Sequence, residues 1–265
     1  MSTTDDAKPG PGVTVAAIAV VVFLQIPVIV VVLAAFSTTS YLTIPPQGLT
    51  LAWFGKVLSD PTYLSAIRMS LILACGSTLI SLVLGLAAAY ALFRRVLPGS
   101  DAITAFLMAP LIFPAVVIGV ALLQYYSLTG LRGSLAGLML AHVVITVPYV
   151  VRAALTSLSG IDLATEEAAR VLGASGFEAF RLVTLPLIAP GLVAGALFAF
   201  ITSLDNVPVT IFLISASQTT LPVLIFTSVD MGVDPSVAAV STLLIVATGV
   251  ALIIAERRTG FHRFV

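Results

Sequence analysis

The chain has 265 residues, of which 59% are hydrophobic and only 9% charged, and its mean hydropathy is +1.16. A soluble domain carries about 25% charged residues, so this chain cannot cover a core with polar surface and is read as an integral membrane protein rather than a cytosolic enzyme or a disordered regulator. Twelve basic and twelve acidic residues cancel, which leaves no basic excess for phosphates and argues against a nucleic-acid partner.

Crossing the hydrocarbon takes roughly 20 apolar residues in a helix, and the uncharged runs give the expected spans in order. The first covers 13–36. Its apolar run is longer than a signal-peptide core, and Asp5 and Asp6 offset Lys8, so it is expected to stay as an anchor. Gln25 and Pro27 predict a mild kink. The loop 37–67 carries Pro45-Pro46, Trp53, Phe54 and Asp60-Pro61. Two readings are open for it: an interfacial segment with an aromatic anchor, or a surface for an external partner.

The second span covers 69–93 and holds Cys75, the only cysteine. It cannot form an internal disulfide and is read as a small apolar side chain. The third span, 102–127, contains Pro110 and Pro114, which are read as kink-makers. In the fourth, 134–155, His142 is expected to be packed or hydrogen-bonded rather than a solute ligand. His142 and His262 lie far apart and no Cys/His cluster exists, so no metal site is expected. The fifth span covers 186–206 and the sixth 236–256. Residues 206–229 are also uncharged. Ser215, Ser217, Gln218, Thr219 and Thr220 make their centre polar between Pro208 and Pro222. A loop or short helices at the membrane surface fit better than a seventh span.

Charge placement supports six. With the N-terminus inside, nine basic residues (Lys8, Arg94, Arg95, Arg152, Arg170, Arg181, Arg257, Arg258, Arg263) face the cytoplasm and three (Lys56, Arg68, Arg132) face outward. A seventh span would make the split six against six, so the positive-inside rule favours six spans with both termini cytoplasmic.

Residues 157–185 differ from the rest. Asp162, Glu166, Glu167, Arg170, Glu178 and Arg181 gather here. Asp162 is placed to cap one short helix, with Glu166 and Glu167 near its positive end. Gly173 stops it. Ser175 and Glu178 are spaced as a capping box for a second helix, expected to end before Pro186. The result is a helix–Gly–helix elbow. It is either a solvated loop or a lever through which a nucleotide-hydrolysing partner moves the spans.

The sequence Glu167-Ala168-Ala169, three residues, Gly173, nine residues, Val183, one residue, Leu185-Pro186 resembles the EAA motif of the permease subunits of bacterial ABC importers. Val183 stands where the family often has isoleucine. The resemblance implies an all-α, MetI-like permease fold of six transmembrane helices with a cytoplasmic coupling helix. It implies that Glu167, Ala168, Ala169 and Gly173 dock on the ATPase and that Leu185 and Pro186 begin the next span. The implied partners are an ATP-binding subunit dimer, a second homologous permease, an external solute-binding protein and the surrounding lipid. A P-loop reads Gly-x-x-x-x-Gly-Lys-Ser/Thr. The chain's only lysines are Lys8 and Lys56, and neither fits. ATP and Mg are therefore expected on the partner ATPase, with no cofactor and no catalytic residue in this chain.

Residues 44–50 (Ile-Pro-Pro-Gln-Gly-Leu-Thr) with Trp53, Ser203-Leu204-Asp205-Asn206, and Thr219-Thr220-Leu221-Pro222-Val223 resemble the PotC-like (spermidine/putrescine) branch of this family. Asn206 stands where many members of the branch carry an acidic residue. Asp205 and Asn206 are the candidate substrate-path residues. A carboxylate at membrane depth usually faces an aqueous cavity and would attract a cationic solute; the other reading of Asp205 is a cap on the span. Asp230 and Asp234 are read as solvated loop charges. The competing function is a self-sufficient, ion-coupled secondary transporter. Such carriers tend to have broken helices and acidic sites at the midplane, whereas no carboxylate lies well inside any of the six expected spans.

Overall fold

The computed structural model describes residues 10–39, 45–96, 98–215, 218–231 and 235–259. Asp5, Asp6, Lys8, Ile44, Ser217, Asp234, His262 and Arg263 lie outside the described residues, as do the side chains of Asp230, Arg257 and Arg258. The described residues are almost entirely helical and divide into two compact units.

The first unit opens with α1 (Pro11–Ala35). At 1.5 Å per residue this helix is about 37 Å long, enough to cross a hydrocarbon core. Pro11 occupies the first turn, where a missing N–H costs nothing. Pro27 is carried inside the helix. After α1, Ser37 and Leu49 form an isolated antiparallel bridge. The helix α2 (Ala52–Ser59) then folds back. The Trp53 indole N–H donates to the Ser37 carbonyl at 2.7 Å, and Phe36 and Phe54 meet at 5.1 Å. The two aromatic residues singled out in this loop thus fasten α2 to the end of α1. The first unit also takes the start of α12 (Pro235–Thr259), the helix that contains the expected sixth span.

The second unit is built on three long helices. The first, α3 (Pro61–Phe93), has 33 residues and is about 50 Å long. It begins eight residues before the expected span, which brings Arg68 into the helix on an exposed face. Cys75 is also exposed on α3. Next come α4 (Ser100–Ile112) and α5 (Ala115–Thr129), which meet at 104°. The expected continuous span 102–127 is therefore two helices. Proline disfavours helical backbone in the residue before it, and Phe113 is extended, with ψ 143°, ahead of Pro114. Pro110, by contrast, is carried inside α4.

The helix α6 (Leu135–Ser159) is the most deeply buried of the long helices. It leads through α7 (Leu163–Val171) and α8 (Gly176–Ala179) into a π-turn (Phe180–Thr184) and α9 (Leu185–Leu204). Two short helices follow, α10 (Thr210–Leu213) and α11 (Leu221–Met231), in the segment expected to hold short helices rather than a span. Among the described residues, four helices (α1, α3, α6 and the run 176–204) are long and apolar enough to cross a membrane. The bent pair α4–α5 makes a fifth candidate.

α3, α6 and α9 pack on one another. Lipid supplies no hydrophobic drive between helices, so close van der Waals approach has to. Glycines allow it here. A Cβ on Gly191 would come within 1.7 Å of Ser157 Oγ, and one on Gly195 within 3.0 Å of Ala153 Cβ. These two glycines, four residues apart on α9, seat it against α6. Two apolar clusters line this packing. Leu73, Leu138 and Ile145 meet Val209 and Leu213 in one; Ala89, Val151, Leu158 and Ile188 form the other.

Candidate functional site

The elbow follows its sequence grammar closely. Asp162 Oδ1 accepts the Ala164 N–H at 2.9 Å and starts α7. Gly173 stops it with φ +101°, a conformation side chains rarely adopt. Ser175 Oγ accepts the Glu178 N–H at 3.2 Å, while Glu178 Oε2 accepts the Ser175 N–H at 2.7 Å. Hydrogen bonding to the carboxyl from the Ser175 hydroxyl and backbone N–H holds Glu178 below its ordinary value.

One expectation is corrected. The second helix does not end before Pro186; α8 runs through the π-turn into α9 without a break. Proline lacks an N–H, and its ring crowds the carbonyl four residues back in an α-helix. Here the Leu185 N–H bonds the Phe180 carbonyl, five residues back. That wider turn lets the chain pass Pro186 while staying helical.

The motif residues sit on this frame as follows. Glu167, Ala168 and Gly173 are exposed, Ala169 and Leu185 are half-buried, and Pro186 is exposed. Val171, Leu172 and Phe177 stand on the same elbow at 86%, 88% and 71% exposure. This apolar set stands exposed among the charges of the elbow.

The residue that ties the elbow down is Glu166, to which the sequence assigned no more than a place near the start of α7. It is only 4% exposed. Thr184 Oγ1 donates to its Oε2 at 2.6 Å, and the Tyr90 hydroxyl donates to its Oε1 at 2.8 Å. Arg94 forms an ion pair with the same oxygen. Arg94 also lies over the Tyr90 ring, and Tyr90 meets Phe180 of the π-turn edge-on at 4.8 Å. Burial alone would raise the Glu166 carboxyl. The hydrogen bonds from Thr184, Tyr90 and Arg94 and the Arg94 charge outweigh it and hold the group below its ordinary value. The signal available in sequence was the tandem Glu166-Glu167. Neighbours on a helix point about 100° apart, and here Glu166 is buried while Glu167 is exposed.

At the other end of α9, Asp205 is the C-cap and is exposed. Asn206, its neighbour, does something different. Its Oδ1 accepts the backbone N–H groups of Val209 and Thr210 at 3.0 and 3.3 Å, and the Thr210 hydroxyl at 3.3 Å. Only an amide oxygen can accept from backbone N–H, so the side-chain orientation is fixed. Asn206 caps the turn into α10, and its oxygen is fully engaged. Of the pair, it is Asp205 whose side chain stands exposed.

His142 is fully buried beneath this turn, in line with its expected packed and hydrogen-bonded role. Its Nδ1 is 2.7 Å from Ser203 Oγ, and its Nε2 is 3.1 Å from Thr210 Oγ1. Thr210 gives its one hydroxyl proton to Asn206, so Nε2 carries the histidine proton and donates to Thr210. Nδ1 then accepts from Ser203, which itself accepts from Ser77 at 2.9 Å. One proton-ordered chain thus joins α3, α9, α6 and α10. Ser81 and Thr146 add a second crossing between α3 and α6 at 2.7 Å. Among the described residues, no group of three His, Cys, Asp or Glu side chains is placed to hold a metal.

Comparison with known proteins gives consistent results. Residues 81–258 match the family model described as binding-protein-dependent transport system inner membrane component. The putrescine transport system permease protein PotI of Escherichia coli (strain K12) is 34% identical over 241 residues, covering 88% of this chain and 85% of the relative. The spermidine/putrescine transport system permease protein PotC of the same organism is 31% identical over 238 residues, covering 90% of each. Among solved structures, a bacterial ABC transporter involved in the import of the acidic polysaccharide alginate shares the fold. It superposes with TM-score 0.74 at 18% identity over 92% of this chain and 95% of that one.

Proposed function

The chain belongs to the family of binding-protein-dependent transport system inner membrane components, the multi-pass, non-catalytic permease subunits of ABC importers, and we propose that its solute is a polyamine. The observation that carries this reading is similarity over most of the chain to two permeases named for putrescine and spermidine. The exposed Asp205 carboxylate at the end of α9 supports it by offering a cationic solute its counter-charge.

The working complex would hold this chain, a second homologous permease, an ATP-binding subunit dimer carrying ATP and Mg, and an external solute-binding protein. Six spans with both termini cytoplasmic fit the nine-to-three split of basic residues. α1, α3, the bent pair α4–α5, α6, α9 and α12 would be those spans. Residues 157–185 then stand in the cytoplasm. Glu167, Ala168, Ala169 and Gly173 would form the docking contact, with Leu172 and Phe177 as its apolar part. Leu185 and Pro186 would transmit the motion into α9. ATP binding would draw the two elbows together and open the cavity outward; hydrolysis would reset it.

The test is reconstitution. The tagged chain should co-purify with an ATPase subunit, and proteoliposomes holding the complex and its binding protein should take up putrescine or spermidine only with ATP inside. A Glu167→Arg plus Gly173→Trp variant should lose uptake; full uptake by that variant would sink the docking assignment. Uptake of another solute while both polyamines fail would overturn the cargo. Uptake without ATP that tracks an ion gradient would favour the secondary carrier instead.

A further inference from the structure

We propose that Glu166 is a positioning residue of the coupling step, locking α7 to the end of α3 and to the π-turn so that elbow and helices move as one body. This rests on the elbow being the coupling lever. An exposed docking surface transmits force only if its own attachment is stiff. The two irregular points of the elbow, the stop at Gly173 and the widened π-turn, are the places where a pushed α7 would otherwise give way. Glu166 spans both. From α7 it reaches Thr184, the last residue of the π-turn, at 2.6 Å. It also reaches Tyr90 at 2.8 Å and Arg94, at the end of α3.

The chemistry suits a lock better than a docking contact. Both carboxylate oxygens are used inside the chain, and the side chain is 5% exposed. A partner protein could not reach it without breaking three bonds. Charge-assisted bonds are directional and short, so they resist sliding in a way apolar packing does not. Phe180 stacked edge-on against Tyr90 closes the same joint from the π-turn side. Glu167 faces outward and Glu166 inward, so the tandem pair divides between gripping the partner and holding the lever.

The experiment uses the assembled complex with spin labels at Ala164→Cys on α7 and Leu79→Cys on α3, in a Cys75→Ser background. In the otherwise unaltered chain the label separation should stay the same with and without ATP. In Glu166→Gln it should shift on ATP binding by several ångströms, roughly the size of a one-turn helix slip, and solute taken up per ATP hydrolysed should fall at least several-fold. Glu166→Asp, which keeps the charge, should recover most of that ratio. A merely structural role would lower the yield of complex without creating an ATP-dependent distance change. If Glu166→Gln fails to assemble, Tyr90→Phe with Thr184→Val, which keeps the Arg94 pair, carries the same test. A fixed distance and an unchanged uptake-to-hydrolysis ratio in these variants would overturn the lock. Failure of the unaltered chain to bind an ATPase would instead sink the lever reading beneath it.

Discussion

Two buried polar clusters hold the second unit together, and they are built from different chemistry. Around Glu166 the elbow cluster uses a full charge pair, and its Arg94 side chain keeps 21% of its surface exposed. Around His142 the α10 cluster uses only hydroxyls, an amide and a neutral imidazole, and His142, Ser77, Thr146 and Thr210 are all buried. An ion inside a membrane protein is costly unless it is paired or close to water. The charged cluster accordingly lies where one partner reaches solvent. The neutral chain lies where three long helices exclude it. The first joins a surface elbow to the bundle, and the second joins the bundle's own helices. Stiffness at a joint and specificity within a core thus come from different bond types.

The largest effect should come from breaking the charged cluster one-sidedly. Glu166→Leu leaves Arg94 with no counter-charge and takes the acceptor from both Tyr90 and Thr184. Removing one partner of a buried pair costs several kcal/mol, and the exposure of Arg94 reduces that to about 3 kcal/mol. Thermal denaturation of the detergent-solubilised complex measures it. Adding Arg94→Leu should recover part of the loss, because the uncompensated charge is then gone. A double variant worse than the single would mean the pair is not the source.

His142→Leu tests the neutral cluster. It keeps apolar bulk but leaves Ser203 without its acceptor and Thr210 without its donor. Hydrogen bonds between membrane helices average well under 1 kcal/mol each, because the unfolded chain also finds partners; with two groups left unsatisfied the expected loss is about 2 kcal/mol. Ser81→Ala removes one crossing while Thr146 still donates to the His142 carbonyl. Its cost should be about 0.6 kcal/mol. A Ser81→Ala effect as large as that of His142→Leu would show that the two crossings act as one unit.

What the sequence made legible follows from range. Asp162, Gly173 and the Ser175–Glu178 box were readable because each bond closes within four residues, and all of them form. Pro114 was readable as an interruption, although its depth was not. A kink and a 104° turn have the same proline, and what distinguishes them is the packing of α5 against α10, where Gly119 touches Pro208 and Val209. Pro186 was misread as a stop because the α-helical hydrogen-bond pattern was assumed, and the chain moved to the π pattern instead. Glu166 and His142 were the least legible. Tyr90 is 76 residues from Glu166, and Ser203 is 61 from His142. No local pattern records such pairings. The resemblance names Asn206 beside Asp205 as a path residue; the role of its oxygen in capping α10 is set by geometry that the motif does not record.

The smallest expected effect is also the one that separates the clusters by charge alone. The Glu166 carboxyl is held below its ordinary value of 4.5 in the folded chain. Its contribution to stability is therefore complete above that value and is lost as the pH falls below it, through the depressed folded value. The Arg94 side chain is partly open to solvent, which screens the pair, so the loss should be roughly 0.5 kcal/mol. Glu178 is depressed as well and would titrate in the same window, so the measurement is made in a Glu178→Gln background. There, the melting temperature of the complex should fall with acid below about pH 4.5, and Glu166→Gln should flatten that slope. Ser203→Ala, which alters only the neutral cluster, should lower the curve without changing its slope. A flat profile in the parent, or a Glu166→Gln slope equal to the parent's, would mean that the elbow is held by shape and not by charge.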